Sequence, residues 1–379
     1  MNLSELRNEI DDIDTQLAEL FARRMDCACQ VAAYKHENGL PIFHAEREQA
    51  VLNRVEERAG KYGRAARQLF ETLMALSRDL QHEMLDSDEE LHQKILNAAS
   101  VLPTDADHLR LACFGVPGTY THQAAAAVFP KASPVFYPTF REVFTAIQNG
   151  DADFGVIPIE NSSAGSVTEV YDLMLQYRFY IVAEEDISVN HCLAALPGAR
   201  AASLKKVYSH AQALSQCSDF IRSSGLEQHS FLSTAAAAQM VSESGDSSLA
   251  AICSEDAAAC YGLEILRRGF QNNPNNTTRF IVVSKELIIT DDADKISLCF
   301  SLPHTTGSLY ALLRRFAGKG LNLTKLESRP RSDTPFEYLF YLDFMGHAKD
   351  GEALTLLCAL SDELPDFSFL GNCAGSMRE

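Results

Sequence analysis

No glycine occurs before Gly39 and no proline before Pro41, so nothing in the first stretch of chain interrupts a helix. Within it Leu3, Leu6, Ile10, Ile13, Leu17 and Leu20 step alternately by three and four residues, which is a heptad seam. Continued, the register passes through Arg24 and on to Cys27, Val31 and Tyr34. The spacing predicts one helix from about residue 3 to 37, roughly 50 Å long at 1.5 Å per residue. That is longer than a small bundle is wide, and residues 1–85 leave little chain to cover it. A dimer with interlocked long helices is the expected solution.

Arg24 puts a permanent charge on the apolar seam. Arg24 and Lys35 lie close to three whole turns apart and share a face within about 20°. Arg7 is rotated about 100° from Arg24 and lies roughly 25 Å up the axis, so it is expected to serve a different site, that of the partner chain. Ser77 and Gln81, four residues apart, share one face of a third helix. Arg47 and Glu48 open the second helix after Pro41. Taken singly these are solvated charges or coiled-coil specificity residues. Taken jointly, with a charge on the seam, they form an anion pocket.

The whole chain makes such a pocket a local affair. Lys+Arg 33 against Asp+Glu 51 gives a net charge of −18, which excludes a nucleic-acid-binding surface and requires clustered cations wherever an anion binds. No apolar run approaches the roughly 18–20 residues of a bilayer span, and Met1–Arg7 has no apolar signal core, so no membrane partner is expected. The ten cysteines show no C-x-x-C pairing and are read as reduced cytoplasmic thiols without a zinc site. No metal or organic cofactor is expected.

The remaining chain divides by composition. Residues 1–88 are helical, 89–108 begin acidic and turn small and polar as a short helix and linker, 109–290 alternate apolar runs with Ala-rich helical stretches, and 295–379 form a last compact unit. In the α/β middle, Leu109–Phe114 is strand-like and runs into Gly115-Val116-Pro117-Gly118-Thr119-Tyr120-Thr121-His122, a turn whose backbone N–H groups face an anion or simply cap a helix. It lacks the P-loop and dinucleotide fingerprints. Phe154–Ile159 is a buried strand ending in the polar cluster Glu160-Asn161-Ser162-Ser163, placed where α/β proteins gather ligands. Ser209-His210-Ala211-Gln212 follows another strand. His210 and Cys217 stand too far apart for a catalytic pair, and Cys217 is read as structural. Ser233-Thr234 caps a helix, and Thr278-Arg279-Phe280 enters the strand Ile281–Val283, with Arg279 either an edge charge or a carboxylate hook. The last unit reads strand, helix, strand, strand, helix, strand, a ferredoxin-like βαββαβ order, with strands over Leu321–Glu327 and Glu337–Met345 and a helix over Thr306–Ala317.

Leu6-Arg7, Ala22-Arg23-Arg24, Lys35, Ala45-Glu46-Arg47-Glu48 and Ser77-x-x-x-Gln81 resemble the all-helical chorismate mutases. The resemblance implies that Arg24 and Arg7 of the second chain clamp substrate carboxylates and that Lys35 and Gln81 address the ether oxygen. It further implies that Glu48 holds the ring hydroxyl, that Ser77 assists a carboxylate, and that His44 and Arg47 border the substrate. Where the family often has an acid before the second helix, this chain has His44. The rearrangement needs no nucleophile, only a folded substrate and donors for charge growing on the ether oxygen.

Gly115–Thr121, Pro158–Gly165, Ser209–Cys217, Ser233–Ala237 and Thr278–Phe280 resemble prephenate dehydratase. This implies two lobes like a type II periplasmic binding protein, with crossings near residues 189 and 267 and Thr278 as the critical donor to the departing hydroxyl. Arg279 and the helix start at Thr119 would then hold carboxylates, with Glu160, Asn161, Ser162, Ser209, His210 and Gln212 as cleft candidates. Thr306–Tyr310 and Leu321–Pro330 resemble the regulatory ACT domain of these enzymes. Phenylalanine is implied as effector at Gly307, Ser308, Leu309, Asn322, Leu323 and the turn Glu327, Ser328, Arg329 and Pro330. Together the resemblances imply a multidomain bifunctional enzyme converting chorismate to prephenate and then to phenylpyruvate. Its rivals are a dehydratase with a merely dimerising helical segment and a non-catalytic amino-acid sensor.

Overall fold

The computed structural model describes residues 2–84, 90–106, 108–331 and 337–375. The expected boundary at 88/89 therefore lies outside the described residues. The chain forms two compact units. The first combines residues up to Asn97 with Leu298–Phe369, and the second holds Ala98–Ser297 together with residues from Leu370 onward.

In the first unit, α1 (Leu3–Glu37) runs unbroken from an Asn2 capping box. It is followed by α2 (Ala45–Arg58), α3 (Gly63–Met84) and the short α4 (Glu90–Leu96). Leu3, Leu6, Ile10, Ile13, Leu17 and Leu20 are each 43–64% exposed, so the seam is uncovered among the described residues. Around Ala32, Leu52, Met74 and Ser77 the helical region closes on itself. Residues 89–108 hold more than a tether: Ile95 of α4 is fully buried.

The second unit contains two sheets. It opens with β1 (Leu111–Phe114), α5 (Tyr120–Val128), β2 (Val135–Tyr137), α6 (Phe140–Asn149), β3 (Phe154–Asn161), β4 (Gly165–Ser166), α7 (Thr168–Tyr177) and β5 (Tyr180–Ser188). The chain then leaves for β6 (Cys192–Ala195), β7 (Lys206–Ser209), α8 (Ala211–Gln216), α9 (Ser218–Ser224) and β8 (Glu227–Ser230). It continues through α10 (Thr234–Ser244), β9 (Leu249–Cys253), α11 (Glu255–Cys260) and β10 (Glu264–Arg268), and returns as β11 (Thr277–Ser284). The first sheet is ordered β5-β11-β3-β1-β2, with β11 antiparallel between β3 and β5. The second is ordered β10-β6-β9-β7-β8. Strand β3 is buried along most of its length, with α5, α6 and α7 packed against it. The first sheet packs a core around Leu111, Phe129 and Phe280, and the second packs two, one around Ala194 and Val241 and one around Val207 and Ile252.

The final elements are β12 (Lys295–Ser301), α12 (Ser308–Gly318), β13 (Leu323–Pro330), β14 (Tyr338–Met345), α13 (Gly351–Glu363) and β15 (Ser368–Cys373), with strand order β13-β14-β12-β15. Two local expectations need correction. Helix α12 starts at Ser308 and not at Thr306, because Gly307 sits in the left-handed region at φ 89° and caps the helix. Residues Glu327–Pro330 form no turn: they continue β13, where Pro330 pairs with Tyr338. Proline is tolerated there because β13 ends the strand order and needs no donor on its open side.

Candidate active sites

Helices α1, α2 and α3 gather the first set of polar side chains. Arg24 donates through Nη1 to the Leu73 carbonyl at 2.9 Å and to the Ser77 hydroxyl. Both acceptors are neutral. Burial lowers the Arg24 pKa, partly offset by the carboxylate of Glu48. Lys35 donates to the Ile42 carbonyl and is likewise lowered by burial, against Glu48 and with Arg78. Gln81 is buried; its amide nitrogen donates to the Ser77 carbonyl at 2.9 Å while its oxygen has no partner. Glu48 is bonded by Arg78. Arg24 thus meets Ser77, and Glu48 lies within electrostatic reach of both Arg24 and Lys35. Arg7 and Arg47 do not join them and lie exposed. The His44 ring caps α2, its Nδ1 accepting from the Arg47 amide at 3.3 Å.

The second set lies where β3 ends beside the start of β11. Asn161 Nδ2 donates to Thr278 Oγ1 at 2.9 Å and to Asn276 Oδ1 at 2.9 Å. Asn161 Oδ1 accepts from the amides of Ser163 and Ala164, which fixes the orientation of the side-chain amide. Thr278 Oγ1 is an acceptor in this bond, so its own proton is available to a further group. Ser162 Oγ receives the Thr277 amide at 3.0 Å. The crossing strands are tied in as well: the Val189 amide donates to the Asn276 carbonyl at 2.8 Å.

The loop before α5 joins the two sheets. Gly118 is at φ 82°, and a Cβ there would stand 2.8 Å from Ala257 Cα. Ser254 Oγ donates to the Gly118 carbonyl at 2.9 Å, and the Tyr261 hydroxyl to the Pro117 carbonyl at 3.1 Å. Thr119 caps α5 by accepting from the His122 amide. Tyr120 donates to the Asn190 carbonyl at 2.8 Å beside His191, whose Nε2 meets Gln216 Oε1 at 3.0 Å. Burial lowers the His191 pKa.

Four expected site residues, Arg279, Ser209, His210 and Gln212, stand elsewhere than the motifs implied. Arg279 is no open hook: its Nε and Nη2 both bond Asp186 at 2.9 Å, with Glu184 at 3.5 Å. The hydrogen bonds to Asp186 hold its pKa above the usual value despite burial. Ser209 is fully buried and donates to the Ile252 carbonyl at 2.6 Å, so it faces a core and no cleft. His210 caps α8 through Nδ1, accepting from the Gln212 amide, and both side chains are exposed. Glu160 is half-buried, its backbone paired with Arg279 and Ser166. The Cys217 thiol is pushed up to about 12 by burial.

A third feature is a cavity of about 550 Å³ lined by Ser301, Pro303, His304, Ser308, Tyr338 and Asp366, among others. Of the expected effector residues only Ser308 lines it. Leu309 is half-buried beside Ser308, Asn322 immediately precedes β13, Leu323 begins it, and Glu327, Ser328, Arg329 and Pro330 lie along that strand. Among the described residues no cluster of three or more metal-ligating side chains occurs, and no helix is long and apolar enough to cross a membrane.

Two family models match the chain: chorismate mutase type II over residues 6–82 and prephenate dehydratase over residues 111–287. A bifunctional chorismate mutase/prephenate dehydratase of Neisseria gonorrhoeae is 32% identical over 97% of this chain and 95% of its own length. An arogenate dehydratase/prephenate dehydratase of Arabidopsis thaliana is 37% identical over 79% of this chain and 81% of its own. The crystal structure of a prephenate dehydratase from Arthrobacter aurescens in complex with L-Phe aligns at a TM-score of 0.65 and 31% identity, covering 71% of this chain and 91% of that one. A helical mutase region and an α/β dehydratase region are thereby combined in one molecule. The chain belongs to the bifunctional chorismate mutase/prephenate dehydratase family.

Sequence reasoning missed Arg78, Asp186 and the Tyr120–His191–Gln216 contact. Arg78 directly follows Ser77, three residues before Gln81, a helical spacing that would have marked it. Asp186 is distant in sequence and gave no signal.

Proposed function

We propose that the chain rearranges chorismate to prephenate in its helical region and converts prephenate to phenylpyruvate in its α/β region, under feedback by phenylalanine. The observation that carries this reading is the bond from Arg24 to Ser77, with Glu48 in electrostatic reach of both Arg24 and Lys35, on a chain that also matches the dehydratase family model. Arg24 and Arg7 of the partner subunit clamp the two carboxylates, each guanidinium able to bond bidentately. Lys35 and Gln81 stabilise charge developing on the ether oxygen, and Glu48 accepts the ring hydroxyl. Holding the side arm over the ring supplies the remaining acceleration.

The exposed seam of α1 supports a homodimer in which a second long helix covers it and delivers Arg7. In the dehydratase region the two sheets act as the lobes of a type II periplasmic-binding-protein-like cleft. Thr278, held by Asn161, donates to the departing hydroxyl as carbon dioxide leaves and the ring becomes aromatic. Thr119 and neighbouring backbone amides receive a carboxylate. The C-terminal βαββαβ unit is an ACT module, and phenylalanine binds beside Gly307 and Ser308, where the cavity lies. Neither reaction changes redox state or needs a Lewis acid, so no cofactor takes part, and the enzyme works in the cytoplasm.

Purified protein given chorismate is expected to produce phenylpyruvate, and less of it when phenylalanine is added. Dehydration of supplied prephenate without turnover of chorismate would reduce the helical region to a dimerising segment. Tight binding with no turnover of either would make the chain a sensor.

A further inference from the structure

Arg78 lies on α3 between Ser77 and Gln81. Its Nη1 donates to Glu48 Oε1 on α2, and its Nε donates to Glu363 Oε1, at the end of α13, at 2.8 Å. The second oxygen of Glu363 accepts from Arg315 Nη1 at 2.8 Å, and Arg315 Nη2 donates to Asp79 Oδ1 at 2.7 Å. The Arg78, Glu363, Arg315 and Asp79 side chains are only 9–11% exposed, so these charge-assisted bonds act in a poorly solvated setting. The Arg78 guanidinium also lies 5.4 Å from the centre of the Phe43 ring, in the loop that Lys35 holds through Ile42. Arg78 is fixed from α2, α13 and the loop before α2.

A carboxylate that is to accept a substrate hydroxyl needs one oxygen anchored and the other open. Glu48 has that form, with Oε1 on Arg78. It also stands within electrostatic reach of Arg24 and Lys35. Released from Arg78, it would swing towards those cations and cancel the charge meant for the substrate. A buried ion-pair chain is a weak device for merely fastening one helix to another, since apolar side chains of similar volume do that as well. We infer that Arg78 is a positioning residue of the mutase pocket and that Glu363 on α13 sets its position, so that the C-terminal part of the chain completes the site that binds chorismate. This rests on the mutase reading proposed above.

The test is made in the full chain, with chorismate consumption and prephenate dehydration measured on the same preparation. Glu363→Gln removes the charge that holds Arg78. The expected result is a rise in KM for chorismate on the order of ten- to a hundredfold, the range of losses a small misplacement of a site group causes, with a smaller change in kcat and unchanged dehydratase turnover. In a Glu48→Gln background the same substitution is expected to add nothing, because Glu363 acts through Glu48. An unchanged KM in a chain that still dehydrates prephenate overturns the inference, and so do fully additive losses in the double variant. Should Glu363→Gln fail to fold, seen as loss of both activities, Glu363→Asp carries the test. It keeps the charge but shortens its reach, and a raised KM with intact dehydratase supports the inference while an unchanged KM overturns it. A wild-type chain that leaves chorismate untouched would instead remove the mutase reading itself.

Discussion

Arg24 and Arg279 are both half-buried guanidinium groups beside a hydroxyl-bearing residue, and the protein holds them differently. Arg24 donates to a carbonyl and to Ser77, both neutral. Arg279 forks onto Asp186 with Glu184 behind it, and Glu184 also receives the buried Lys295. One cation bonds only neutral acceptors, with the Glu48 carboxylate in electrostatic reach; the other is cancelled inside the fold. On the function proposed above, the contrast follows the two chemistries: a dianion that only has to be folded and held would meet a cation with neutral partners, and a substrate that must lose hydroxide would meet a neutral hydroxyl held by Asn161, with the nearby charges closed on one another.

The largest effect is expected where the Arg24 cation is removed. Arg24→Met should lower mutase kcat/KM on the order of 10²–10³, the typical loss when one charge-stabilising donor is deleted. Dehydratase turnover in the same preparation should not change. A mutase that survives this substitution breaks the comparison on its helical side.

Next comes the hydroxyl. Thr278→Ala should reduce dehydratase kcat on the order of a hundredfold, while Thr278→Ser keeps most of it because Asn161 can still anchor the oxygen. Mutase activity should remain in both variants. Equal loss of the two activities in a folded chain would mean that Thr278 serves structure and not the leaving group.

A smaller change tests the cancelled charge. Asp186→Asn breaks a bidentate pair between partly exposed groups, and a urea titration should register a loss of about 1–3 kcal/mol, the usual worth of hydrogen bonds to charged groups. If the variant instead abolishes dehydration without loss of stability, Arg279 acts on substrate and the contrast with Arg24 disappears.

The parts of the molecule that could be read from sequence are those set by local periodicity. The span of α1 follows from three-and-four spacing with nothing to break it, and helical phase alone brought Ser77 and Gln81 to one face. Strand β11 and the Ser233 cap of α10 follow from apolar runs and capping chemistry in the same way. What could not be read is which way a polar residue turns once the chain is packed. Ser209 ends an apolar strand much as Asn161 does, yet its hydroxyl is sealed against the Ile252 carbonyl while Asn161 reaches Thr278. Arg279 looked open because the carboxylate that neutralises it sits on β5, a neighbour only after the sheet has formed. Glu363 is further still from Arg78 along the chain, and no periodicity spans that separation.

The smallest expected effect concerns pH and separates the two regions by a different route. Burial lowers the Lys35 pKa from its ordinary 10.5, and the proposed role of Lys35 requires its protonated form, because only the ammonium brings positive charge to the negative charge growing on the ether oxygen. Deprotonation therefore begins at a lower pH than for an exposed lysine, and mutase kcat/KM should fall along an alkaline limb centred below 10.5. For stability the sign is opposite. The unfolded chain binds more protons than the folded one between the lowered and the ordinary pKa, so this one group makes folding more favourable as pH rises through that window. Loss of mutase activity there is thus not a sign of unfolding through Lys35. Thr278 does not titrate in this range, so dehydration supplied with prephenate should lack the limb. In Lys35→Arg, whose charge persists at alkaline pH, the limb should vanish from whatever mutase activity remains. A limb that persists in that variant would assign it to another group and leave the ether oxygen without the donor proposed for it.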